Sequence, residues 1–148
     1  MTDHTVPISA ESSSTTLSIL FGAGQTGPRC IGSRSPTGIE GARYILALTG
    51  PSDLRAADLD GQAFGVLDWL VHEISLVDAA SGDERSALRL VLCDERGQTL
   101  SCVSDIAIRD WATVVEACGP GPYEPVIPIR IVARKTRAGR TMYTLRLA

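Results

Sequence analysis

From Arg43 onward the chain alternates short apolar stretches with turn residues, whereas residues 1–42 carry neither helical nor strand periodicity over a useful length. That first stretch is rich in Ser, Thr, Gly and Pro, most plainly in ESSSTT and GSRSPTG, and is expected to be a flexible low-complexity arm with TLSILF as its one short strand-like segment. Residues 43–148 are the expected folded domain, and no internal repeat interrupts them. Tyr44 to Thr49 reads as a strand closed by Gly50 and Pro51, and SDLRAADLDG as a loop or a single helical turn. Ala63 to Asp78 is strand-like throughout, with Leu67, Trp69 and Val71 on one face. Beyond Glu73 the larger apolar residues, Ile74 and Leu76, sit on the other. A bulge near His72 and Glu73 would exchange the faces in this way.

Two tight hairpins follow from turn chemistry. Glu95, Arg96 and Gly97, with Gly97 left-handed, pair Asp94 with Gln98. That register puts Leu88, Leu90, Leu92, Leu100 and Cys102 on one face and Arg89, Cys93, Thr99 and Ser101 on the other. Arg137, Ala138 and Gly139 likewise pair Thr136 with Arg140, residue 131 with 145 and residue 130 with 146. Ile127, Ile129, Ile131, Ala133, Tyr143, Leu145 and Leu147 then form an apolar face, opposite Arg130, Arg134 and Arg146. Between the hairpins lies one helix. Ser104 is its N-cap, Ala107, Trp111, Val114, Val115 and Cys118 its apolar face, and Gly119 and Pro120 its stop.

The resulting order, β-β-β-α-β-β, is that of the OB-fold, a five-stranded, partly open Greek-key barrel with its helix between the third and fourth strands. A mainly β, OB-fold-like domain is therefore expected. A β-sandwich or an SH3-like barrel with an inserted helix is the competing architecture.

Charge sharpens this picture. The 148-residue chain has a net charge of -3, yet residues 126–148 hold six basic residues and no acidic one. Such segregation points to an anionic partner at that end. Arg130, Arg134, Lys135, Arg137, Arg140 and Arg146 suit a phosphate backbone, since guanidinium groups bond phosphates in pairs and stack on bases. Arg89, on the outward face of the first hairpin, joins them. Trp111 and Tyr143 fall on core faces, which leaves Trp69 and Tyr123 as base-stacking candidates. In OB-folds the loop joining the last two strands flanks the ligand face, and here that loop is RKTRAGR.

Other chemistry finds little support. Cys30, Cys93, Cys102 and Cys118 contain no C-x-x-C pair, and with only His4 and His72 beside them they are badly spaced for zinc, so reduced thiols and no metal or cofactor are expected. GAGQTG, residues 22–27, matches a dinucleotide-binding string but is followed by Pro28 and no helical period. His72 beside Glu73 has no nucleophile signature near it, and the carboxylate pairs Asp83 with Glu84 and Asp94 with Glu95 fall in turns, so no enzyme is expected. No apolar run is long enough to span a membrane, and there is no basic leader, so a cytoplasmic location is expected.

From Trp69 onward, CVSDIA entering the helix, GPGPYEPVIPIRIV after it and KTRAGRTMYTLRL in the final hairpin resemble small OB-fold single-stranded DNA-binding proteins of bacterial phages and mobile elements. The resemblance implies a non-enzymatic protein that coats single-stranded DNA, or RNA, during replication or recombination. A homo-oligomer is the expected form. The alternative is a structural or assembly protein that uses the N-terminal arm and the basic hairpin for protein contacts.

Overall fold

The computed structural model describes residues 30–59 and 61–148. It is mainly β, with eight strands in two sheets and three helices among these residues. In chain order the elements are β1 (Cys30–Gly32), α1 (Gly38–Thr49), β2 (Leu54–Arg55), α2 (Ala56–Leu59), β3 (Ala63–Val66) and β4 (Asp68–Val77). They continue with β5 (Glu84–Cys93), β6 (Thr99–Cys102), α3 (Asp105–Cys118), β7 (Ile127–Lys135) and β8 (Thr141–Leu147). One sheet has the order β1-β4-β5-β6-β2 and the other β3-β7-β8. β6 and β8 are not bonded to each other, so no barrel closes among the described residues.

β3 and β4 are two halves of one bent strand. The bend lies at Leu67, whose amide donates to the Cys93 carbonyl (2.8 Å) while its own carbonyl accepts from Tyr123 (3.0 Å). The expected bulge at His72 and Glu73 is absent, since β4 and β5 pair without interruption from Asp68 with Cys93 to Val77 with Glu84. The apolar faces switch for another reason. α1 lies on the second face of the sheet, so Leu70 and Val91 are buried there with Leu48; beyond Glu73 the ribbon projects past the core and Val77 is exposed.

The main core joins both sheets to α3. Trp111 makes edge contacts with Trp69 and Tyr123 at centroid distances of 6.0 Å, packed among Val66, Leu88, Leu90, Leu92, Leu100, Ile129 and Ile131. Such aromatic pairs contribute roughly 0.5–1.5 kcal/mol beyond the burial of their area. α3 starts as its sequence dictates, with the Ser104 hydroxyl accepting from the Ala107 amide (3.3 Å), and it stops at Gly119, φ 87°. Its buried face is Ala107, Ile108, Trp111 and Ala112; Val114 and Val115 are only partly covered and Cys118 is exposed.

The N-terminal part departs most from expectation. Tyr44 to Thr49 is not a strand but the second half of α1, because Gly41, Tyr44, Ile45 and Leu48 recur at helical spacing on the covered side. The folded body also begins earlier than residue 43. β1 pairs with β4, Cys30 opposite His72 and Gly32 opposite Leu70, so residues 30–42 are not part of a free arm. A Cβ at Gly32 would collide with the Tyr44 hydroxyl and the Trp69 carbonyl, which is why the chain can cross so closely there. The rest of the expected arm, including TLSILF and GAGQTG, lies outside the described residues.

Candidate nucleic-acid interface

The final hairpin, β7 with β8, is built by its turn. Gly139 has φ 83°, its amide donates to the Thr136 carbonyl (2.9 Å), and the Thr136 amide donates to the Arg140 carbonyl (2.8 Å). Arg130 therefore stands opposite Arg146 and Ile131 opposite Leu145, as the turn chemistry requires. Ile129, Ile131 and Leu145 are buried against the core, with Ile127 and Tyr143 packed beside them. Ala133 and Leu147, expected on the same apolar face, are exposed because the ends of the hairpin reach past the core.

All six cations of the hairpin are exposed. Arg130, Arg134 and Arg146 share the outward face, and Lys135, Arg137 and Arg140 surround the tip. No carboxylate neutralises them among the described residues, where the ion pairs are Arg34 with Asp68 and Arg43 with Glu40, both far along the chain. Arg130 is anchored by a bond from Nη1 to the Gly61 carbonyl (2.8 Å). Its neighbour across the strand, Arg146, places a second positive charge directly opposite, an arrangement that destabilises a sheet unless an anion sits nearby.

Three other candidate residues stand elsewhere. Trp69 is 1% exposed, inside the aromatic core, and its indole N–H donates to the Pro120 carbonyl (2.8 Å). Tyr123 is 6% exposed, with its hydroxyl donating to the Gly119 carbonyl (2.7 Å), and burial pushes its pKa up to about 12. Neither ring has a face free for a base. Arg89 is half-buried and closes the C-terminus of α1, donating to the carbonyls of Leu48 (3.4 Å), Thr49 (3.4 Å) and Gly50 (2.9 Å). His72 lies 3.1 Å from the same guanidinium; burial, and then the Arg89 charge, lower its pKa. Sequence alternation put Arg89 on the outward face correctly but carried no sign that α1 would cover it.

α1 is part of a larger cover. Leu48 packs on Leu70 and Val91, the Tyr44 hydroxyl donates to the Trp69 carbonyl, and the Asp53 amide and carboxylate bond Thr99. α1 thus covers the outer face of β4 and β5, and Ser52 and Asp53 bond the outward Ser101 and Thr99 of β6, while β1 and β2 extend the same sheet at its two edges. The side left open is the outward face of β7 and β8, with a cleft of about 820 Å³ beside it, between β6 and the start of β8. Thr141, Met142 and Tyr143 line the cleft on the hairpin side. Nothing in the expected site marked this cleft, because it arises from two strands distant in sequence that come close without pairing.

The remaining chemistry is quiet. The four cysteines are unpaired, and burial, followed by the Asp68 charge, pushes the Cys93 thiol up to about 11. Asp78 is a turn former, accepting from the Ala80 amide (2.8 Å), a bond that lowers its pKa. No family model matches this chain, and comparison with curated proteins and with solved structures returned no match.

Proposed function

We propose that the chain is a sequence-tolerant, non-enzymatic single-stranded DNA-binding protein of replication or recombination, built on an OB-fold-like domain, with β7 and β8 holding the phosphate backbone. The observation that carries this reading is the exposed hairpin of six cations without a carboxylate partner among the described residues.

The strand order supports the OB-like reading. One bent strand pairs with β7 through β3 and with β5 through β4; β6 follows β5, with the two-residue β2 on its far edge, and β8 follows β7; and α3 connects β6 to β7. OB-folds hold oligonucleotides on the face of their second and third strands, which correspond here to β5 and β6. α1 covers β5 on that face, and Ser52 and Asp53 bond the outward side of β6, so the DNA strand is displaced onto the β7–β8 side. With Trp69 and Tyr123 buried, phosphate contacts supply most of the affinity, and salt weakens it steeply. Fluorescence anisotropy with a labelled oligo-dT tests this: saturable binding at low salt is expected, and no binding there would overturn the proposal.

One observation favours the alternative of an assembly protein. No Trp, Tyr or Phe is exposed among the described residues, and a cationic surface without aromatics also suits an acidic protein partner. A mobility assay with single-stranded DNA, duplex DNA and RNA separates the readings, since an assembly protein leaves all three unshifted.

A further inference from the structure

We infer that the cleft between β6 and β8 takes a nucleobase of the bound strand and gives the protein its preference for single-stranded over duplex DNA. This rests on the reading that the hairpin grips phosphates. The outward arginines contact any phosphodiester backbone, paired or not, so on their own they do not discriminate. Discrimination needs a place that only an unpaired base can enter.

The cleft has the right position and chemistry for that role. It reaches Thr141, where the hairpin begins its return; Thr141 follows Arg140 in sequence and pairs with Lys135, so two tip cations neighbour the lining. A backbone held at the tip has its next base within reach of the opening. The lining includes the half-buried Tyr143, on the core-facing side of β8, an aromatic ring suited to the flat face of a base; Met142, its neighbour in the strand, lies on the outward face opposite Arg134 and bounds the edge of the cleft. Around them stand Arg55, Asp105 and the Thr141 hydroxyl, which supply donors and acceptors for base edges. At about 820 Å³ the cleft lies within the range of small-molecule sites. A base inside a duplex is stacked and paired on both sides and does not reach it. Tyr143 is thus the aromatic that the buried Trp69 and Tyr123 do not provide.

The test is anisotropy at one salt concentration with three labelled probes of equal length: oligo-dT, an abasic single strand and a duplex. One stacked base changes affinity by roughly 5- to 150-fold, so the wild type is expected to bind oligo-dT at least about fivefold tighter than either other probe. Tyr143→Leu keeps apolar packing but removes the ring, and it should lower oligo-dT binding to the abasic level with abasic affinity unchanged. Tyr143→Phe should restore the preference. Ala57→Leu, at an exposed position that fills the cleft from the opposite wall, should have the same effect as Tyr143→Leu and decides the matter if that variant fails to fold. Equal wild-type binding to oligo-dT and the abasic strand, or a preference kept in Ala57→Leu, overturns the inference while leaving the hairpin reading in place. Failure of all three probes to bind overturns both.

Discussion

Arg146→Glu should make the protein more stable and worse at binding DNA. Arg146 faces Arg130 across the β7–β8 ladder, both are exposed, and Arg130 is held in place by the Gly61 carbonyl. Directly opposed side chains have Cβ atoms about 5 Å apart, and charges at the ends of two such arginines stand roughly 7 Å apart. At that distance in water two unit charges interact by about 0.6 kcal/mol. Reversing one of them turns repulsion into attraction, a swing of about 1 kcal/mol that raises the melting temperature by about 2–4 °C for a chain of this size. Arg146→Gln should give about half of that. Thermal melts at 20 mM and 1 M salt check the cause, because screening over about 3 Å at 1 M should erase the gain. Affinity for oligo-dT should fall several-fold, since at least one phosphate contact is lost. A variant that is less stable at low salt, or that binds DNA as tightly as the wild type, would refute the idea that this face holds opposed charges for an anionic ligand.

Three further outcomes test the frame around the site. Arg89→Met should lower stability by about 1–3 kcal/mol in urea melts, because three carbonyls at the end of α1 lose their donor, while affinity for oligo-dT stays within twofold. His72 has a folded-state pKa below its unfolded value near 6.5, so the unfolded chain binds more protons. The neutral side chain's contribution should be complete above about pH 7 and lost as pH falls from about 6.5 through the folded pKa, and His72→Gln should flatten urea midpoints measured between pH 7.5 and 5. Ser104→Ala removes both the cap of α3 and a bond to the Tyr143 carbonyl (2.9 Å), and should lower stability by about 1–2 kcal/mol in the same melts.

Much of the fold was legible because turns and caps are local. Gly97 and Gly139 in their three-residue loops fixed two hairpin registers, and Ser104 with Gly119 bounded α3. α1 was harder to read: Tyr44, Ile45 and Thr49 favour strands, and its helical stripe includes Gly41, which hides the period. The six cations of the hairpin were visible as a charge run, and alternation placed three of them on the outward face. Whether a sheet face is open or covered depends on a distant segment, however, and no alternation pattern reports it. Arg89 was misassigned for that reason, and Trp69 because the bend at Leu67 turns its strand into the core from both sheets. The cleft beside Tyr143 was missed on the same ground, being a gap between strands that never pair.

Phosphate binding by the β7–β8 hairpin is tested most directly by the salt dependence of oligo-dT affinity, measured for the wild type and for a variant with Arg134, Arg137 and Arg140 all changed to Glu. Each phosphate contact adds about 0.7 to the slope of log affinity against log salt for a single strand. A wild-type slope between about -2 and -4 is expected, and a slope shallower by about 2 in the variant, with an unchanged circular-dichroism spectrum. Equal slopes and affinities in the two folded proteins would contradict phosphate binding by the hairpin.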